Sequence, residues 1–159
     1  MNLSQVIQVI ERVAAGQPTI STVVRNDVFR LNPVPDVRYG AFAWLQREHV
    51  SDADSNLITY NFTLFYVDRL RADGSNEVEV QSVGIETLDN ILRALPDLGV
   101  FPGSYTFQAF NQRFADQCAG VFCNVQLETA KGSMCAAAFE FLEQKDGAWV
   151  EAEREIKYI

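Results

Sequence analysis

The stretch from Leu57 to Leu70, Leu-Ile-Thr-Tyr-Asn-Phe-Thr-Leu-Phe-Tyr-Val-Asp-Arg-Leu, constrains the fold more than any other. In an extended chain successive side chains point to opposite faces. Ile58, Tyr60, Phe62, Leu64 and Tyr66 therefore share one face, while Thr59, Asn61, Thr63, Phe65 and Val67 share the other. β-branched and aromatic residues fill nearly every position, which suits a pleated, half-buried surface. The apolar face needs a cover, and helices on either side in sequence can supply it. The stretch reads as a central strand of a sheet with helices packed on one side.

Two segments have the periodicity of such helices. Leu3, Val6, Ile7, Ile10, Val13 and Ala14 repeat at three and four residues, forming one apolar stripe. Asn2 with Gln5 forms a capping-box pattern at its start, and Gly16 and Pro18 end it. Val80, Val83, Ile85, Leu88, Ile91, Leu92 and Leu95 make a second stripe, which stops before Pro96 and Gly99. Asn76 with Glu79 is a second capping-box candidate.

Further strands are expected over Thr19–Val24, over Val37–Glu48 and over the Phe-dense Ser104–Phe114. Arg25-Asn26-Asp27 interrupts the first, which Val28–Leu31 can continue, and Asn32–Asp36 is a proline-bearing loop. In Val37–Glu48, Val37, Tyr39, Ala41, Ala43 and Leu45 share a face, and Phe42 and Trp44 lie on the other. Both faces are partly apolar, so one is open to a second subunit. His49–Asn56 is a polar loop, which makes the two flanking strands a long hairpin. Ala115–Gly120 reads as a turn. Val121, Cys123, Val125 and Leu127 then alternate with Phe122, Asn124, Gln126 and Glu128, as in a half-buried antiparallel strand. Ala136–Leu142 and Ala148–Ile156 around Asp146-Gly147 read as a terminal hairpin, with a helix over Cys135–Glu143 as the competing reading. The order is α-β-β-β-α-β-β followed by a C-terminal segment. This predicts an α+β class with a mostly antiparallel sheet and two helices on one face.

Length and charge limit the functions open to such a chain. A chain of 159 residues makes one domain. Its net charge of -8, with no clustered Lys and Arg, excludes coating a duplex. No apolar run approaches the roughly 20 residues that span a bilayer. Met1-Asn2-Leu3-Ser4-Gln5 lacks the basic start and apolar block of a secretory signal, so synthesis in the cytoplasm is expected.

Residues that carry chemistry are sparse. His49 is the one histidine, and no Gly-x-Ser-x-Gly elbow accompanies it. Asp52-x-Asp54-x-Asn56 copies the first ligands of a calcium loop, but Leu57 stands where that loop needs Gly and Thr63 where it needs Glu. These residues suit a solvated hairpin tip instead. Cys118, Cys123 and Cys135 form no Cys-x-x-Cys pair, which argues against a zinc site. Cys123 falls in an alternating apolar series and reads as core. Cys118 with Asp116 and Arg113 lacks the histidine that would activate a thiol. No glycine-rich phosphate loop is present. No catalytic group, cofactor or metal is expected.

The segments Thr59–Leu70, Gln81–Leu92 and Phe110–Phe122 resemble small virion proteins of phages and prophages of gut bacteria. The element order resembles the tail-terminator and tail-completion family of tailed phages. That resemblance spans residues 1–130, leaving 131–159 as a C-terminal extension. It implies a sheet with two helices and a subunit that assembles into a ring at the junction of tail and neck. Self-association, docking on other tail or neck virion proteins, and a place in the virion follow as expectations. A ring subunit needs lateral surfaces, and Phe42 and Trp44 are the expected ones, with His49, Asp52 and Asp54 reaching a neighbour or lining a lumen. An acidic lumen would repel DNA rather than grip it. Two rival readings are a cytosolic module holding an apolar ligand between sheet and helix, and an enzyme of unrecognised type.

Overall fold

The computed structural model describes residues 1–26, 38–51, 55–111, 117–131 and 157–159. The fold is α+β, with two helices on one face of a sheet. In chain order the elements are α1 (Leu3–Ala15), β1 (Thr22–Val24), β2 (Ala41–Ser51), β3 (Leu57–Arg69) and α2 (Glu77–Ala94). A 3-10 turn (Leu95–Leu98) leads to β4 (Phe101–Pro102), β5 (Phe107–Asn111), β6 (Cys118–Ala130) and β7 (Lys157–Tyr158).

β3 is central, as its alternation requires. It runs antiparallel to β2 on one side and to β6 on the other, along its whole length from Leu57↔Ala130 to Arg69↔Cys118. β4 and β5 follow one another along the far flank of β6. On the other side β1 pairs parallel with β2, and β7 pairs parallel with β1. The sheet is therefore mostly antiparallel with a parallel margin.

The helix-covered face is the main core. Tyr60, Phe62, Leu64 and Tyr66 of β3 lie there, flanked by Val121, Cys123, Val125 and Leu127 of β6. Val6, Val9 and Ile10 of α1 and Leu88, Ile91 and Leu92 of α2 close over them. Both strand alternations thus place their apolar rows against the helices. The opposite face has a second, smaller cluster at one end: Val24, Ala41, Ala43, Val67, Phe110 and Cys118, with Tyr39, Phe65, Phe122 and Ile159 packed around it. Toward the hairpin tip this face turns polar, and Thr63 donates to Oδ1 of Asn124 at 2.7 Å.

The two capping motifs part company. At α1 both bonds of the box form: Gln5 N–H donates to Asn2 Oδ1 and Asn2 N–H to Gln5 Oε1, each at 2.9 Å. At α2, Asn76 does not cap with its side chain. Its side chain accepts from Arg71 N–H at 2.8 Å and donates to the Arg69 carbonyl at 3.2 Å, closing the preceding turn.

Several boundaries differ from the sequence expectation. The first strand is confined to Thr22–Val24, because Ile20 N–H bonds back to Gln17 and keeps the chain turning. β2 does not end at Glu48 but runs through Ser51, because β3 offers it a partner that far. The pairing slips between Gln46 and Glu48, so Arg47 is a bulge residue. A bulge shifts the alternation by one, so His49 follows Trp44 and Gln46 onto the face of its partner Tyr60. The strand expected at Ser104–Phe114 begins earlier, at Phe101, and is broken between Pro102 and Phe107. Cys118–Gly120 is strand, not turn. Gly120 is needed there for close approach rather than for turning: a Cβ would lie 1.9 Å from the Tyr66 carbonyl oxygen. The expected elements at Val28–Leu31, Asn32–Asp36, Cys135–Glu143, Ala136–Leu142 and Ala148–Ile156 lie outside the described residues. The last residues of the expected extension are hydrogen-bonded into the sheet of the domain.

Phe42 corrects the interface expectation, because burial removes it from any lateral surface, whereas Trp44 is buried but also lines a groove beside α1. They do occupy the face opposite Ala41 and Ala43, but that is the face that the helices cover. Phe42 is 0% and Trp44 6% exposed. Trp44 meets Phe62 edge to face, with ring centroids 6.1 Å apart. Large aromatics on a two-sided apolar strand go where the helices provide depth; the small Ala41 and Ala43 take the other side.

Candidate functional site

The most chemically developed place among the described residues lies beside α1, where β1 stops and β2 continues. Its centre is Glu11. The helix carries this one carboxylate next to its apolar stripe, and folding buries it to 4% exposure. A buried carboxylate must be paired and hydrogen-bonded to be tolerated. Arg25, just past β1, donates from Nε to Oε1 at 2.9 Å and from Nη2 to Oε2 at 2.8 Å. Trp44 of β2 donates from Nε1 to Oε1 at 3.0 Å. The fork of the guanidinium matches the two carboxylate oxygens, and the planar pairing fixes its orientation.

The outer side of Arg25 is occupied as well. Its guanidinium carbon lies 4.7 Å from the centre of the Tyr158 ring, a cation–π arrangement with the C-terminal strand. The hydrogen bonds to Glu11 raise the guanidinium's affinity for its proton above the ordinary value, against an opposing effect of burial. Burial raises the Tyr158 phenol, and the negative charge of Glu11 adds to it. The cluster is thus a charged arginine locked between a carboxylate and a neutral tyrosine.

A groove of about 550 Å³ opens next to it, walled by Leu3, Ile7 and Trp44, with Gln8, Glu11 and Arg25 also lining it. Leu3 and Ile7 of α1 are half-buried and pack against the main core. The groove combines apolar walls with an ion pair whose acid oxygens already have their donors. Such a lining suits docking of an apolar surface better than proton transfer.

Other polar contacts tie elements together. Tyr105 donates to Asp89 at 2.9 Å, and Asp89 pairs with Arg93 at 2.8 Å, holding the approach to β5 against α2. The Tyr66 hydroxyl donates to Asp68 at 3.2 Å. Burial, with the Asp68 charge, pushes the Tyr66 phenol far up. The hydroxyls of Thr19 and Thr87 bond at 2.8 Å between the turn after α1 and helix α2. Among the described residues no three His, Cys, Asp or Glu side chains gather to hold a metal ion. Also among them, no helix is long and apolar enough to cross a membrane.

Of the residues expected at an interface, three fall among the described residues. Phe42 is in the core and Trp44 lines the groove from within. His49 is exposed on distal β2, its ring 6.0 Å from that of Tyr60. Asp52 and Asp54 lie outside the described residues, and with them the calcium-loop pattern. Cys118 and Cys123 are both fully buried. Asp116, Arg113 and Cys135 lie outside the described residues. Sequence reasoning missed Glu11, Arg25 and Tyr158. The one available signal was a single carboxylate beside the stripe of α1. No family model matches the sequence, and no curated protein matches it.

Proposed function

We propose that this chain is a structural subunit that works by association, a self-associating component of a phage or prophage particle in the tail-terminator or neck-connector class. One observation carries the reading. Between α1 and β2, Leu3, Ile7 and Trp44 wall an open groove. Beside it, among the described residues, β2 pairs only with β3 beyond Ala43. An apolar groove next to a strand ladder with a partner on one side is the kind of surface that another folded chain covers. The α+β order and the resemblance of Thr59–Leu70 to virion proteins supply the particle class.

Light scattering over a concentration series, with electron microscopy for rings, tests this. Association is expected for the native chain. Ile7→Asp is expected to abolish it without changing the circular dichroism spectrum. A chain that remains monomeric throughout, alone and with isolated phage tails, would overturn the reading.

The groove also favours a second reading, a module that takes a small apolar ligand between helix and sheet. Trp44 lies in the wall, so saturable quenching of its emission by an apolar dye, in a chain that stays monomeric, would select that alternative.

A further inference from the structure

The groove beside α1 has a matching ridge elsewhere on the same chain. Among the described residues the exposed large hydrophobics are Leu57, Val78, Ile85 and Phe101, and only Val78 and Ile85 belong to one element. Both stand on α2, 78% and 43% exposed. Their spacing is nearly two full turns, so they lie on one stripe about 10.5 Å long, with Ser82 between them. The helix meets the core through other residues, Val80, Leu88, Ile91 and Leu92. We infer that this ridge of one copy docks into the groove between α1 and β2 of a second copy. The inference deepens the self-association reading and rests on it.

Length, charge and position fit the two surfaces together. The α1 wall of the groove runs from Leu3 through Ile7 to Glu11, about 12 Å along the helix. A helix lies in such a groove by anchors at i, i+4 and i+7, the spacing of Val78, Ser82 and Ile85. The ridge is acidic. α2 carries Glu77, Glu79, Glu86 and Asp89 against Arg93, which pairs with Asp89. Glu79 and Glu86 are exposed and flank the apolar stripe on one side. One end of the groove has the opposite sign. Glu11 is the one carboxylate of α1 and is already bound to Arg25. The charges of Arg12 and Arg25 are both felt at the Tyr158 phenol, so two guanidinium groups stand there against one acid. Opposite charges beside an apolar contact set its register and disfavour the reversed one. The two surfaces also lie at different margins of the sheet. At the base of the ridge Glu77 accepts from Asn111 of β5 at 3.1 Å, and β5 is on the far flank of β6. The groove is lined by Trp44 of β2 and by Arg25, just past β1, at the other side. A chain therefore cannot fill its own groove with its own ridge, and a contact between unlike surfaces joins copies head to tail.

Mixing two disabled chains distinguishes this joint from any other. Val78→Asp puts a charge on the ridge, and an acid in the first turn of α2 suits the helix dipole, so the fold is retained. Ile7→Asp puts a charge in the groove. Circular dichroism checks both, and Val78→Ser with Ile85→Gln replaces the first variant if its spectrum changes. Light scattering is recorded at a concentration where the native chain associates. Each variant alone is expected to be monomeric. An equal mixture is expected to give a particle of twice the monomer mass and nothing larger, because one sound ridge meets one sound groove and the other joint is dead. A ridge variant that associates like the native chain would overturn the ridge and leave self-association standing. A mixture that stays monomeric would overturn the head-to-tail joint. A native chain that stays monomeric, alone and with isolated phage tails, would overturn both this joint and self-association. Glu79→Lys with Glu86→Lys gives an independent reading. Association about tenfold weaker at low salt is expected, with a smaller loss at high salt. Unchanged association at low salt would overturn the match of acidic ridge to basic groove.

Discussion

The indole Nε1 of Trp44 donates a 3.0 Å hydrogen bond to Oε1 of Glu11, joining β2 to α1 across the rim of the groove. Glu11 accepts from Arg25 at the same time, so one carboxylate holds a strand, a helix and the end of β1 together. We expect Glu11→Ala to cost about 1–3 kcal/mol, because it strands a buried indole donor and releases the guanidinium. The Arg25 side chain is 51% exposed, so solvent screening keeps the cost below that of a fully buried pair. Trp44→Phe should cost about 1 kcal/mol in hydrogen bonding, and the double variant should show coupling. Urea titration of the four proteins checks it.

Gly84 offers a test in which local preference and packing have opposite signs. Gly to Ala inside a helix stabilises by about 1 kcal/mol when the site is open. Gly84 sits in α2 against β3, and a Cβ there would lie 2.9 Å from Tyr66 Cδ1 and 3.2 Å from Val121 Cγ2. Overpacking of a filled core costs about 1–3 kcal/mol. Gly84→Ala should therefore destabilise on balance, read as a lower urea midpoint.

Burial of the Cys123 thiol and of the Tyr66 phenol both contribute to an alkaline limit, and the thiol acts first. Burial pushes the thiol from 9.0 up to about 12. A group whose folded pKa is raised contributes its stability in full below the unfolded value and loses it as pH rises toward the folded one. Stability should therefore fall between pH 9 and 12, at no more than about 1.4 kcal/mol per pH unit from this thiol. Cys123→Ala should lower stability at neutral pH through the small cavity and flatten the decline above pH 9. Denaturation at a series of pH values separates the two effects.

The two asparagines before the helices should respond differently to serine. Asn2 is a true cap, and serine caps about as well, so Asn2→Ser should change stability by a few tenths of a kcal/mol. Asn76 bridges Arg69 and Arg71, which the shorter serine cannot reach together. Asn76→Ser should cost about 1 kcal/mol. Thermal midpoints of the pair decide the point.

These asparagines also show what sequence can reveal. The Asn2–Gln5 box was legible because every partner lies within one turn. The same spacing at Asn76 misled because Arg69 and Arg71 compete for the side chain, and a turn's bonds are not written in a periodicity. The central strand and its face were legible from the alternation of Tyr60, Phe62, Leu64 and Tyr66. The side taken by Phe42 and Trp44 was not, since both faces of their strand are apolar and only the helices' position decides. His49 was hidden by the bulge at Arg47, which reverses the alternation within the strand. The cluster beside the groove was least legible: Glu11, Arg25, Trp44 and Tyr158 come from α1, the residue after β1, β2 and β7, and meet only in three dimensions.

The far flank of the sheet has a consequence of its own. Along β6 the chain lays down β4 and β5 with a break between them, and Pro102, which has no N–H to give, stands in the first. Among the described residues this is where the sheet stops, and an interrupted margin cannot template an incoming chain. A sheet blunted along this flank resists stray edge-to-edge growth, so the chain can be made in quantity without stacking into fibres through it.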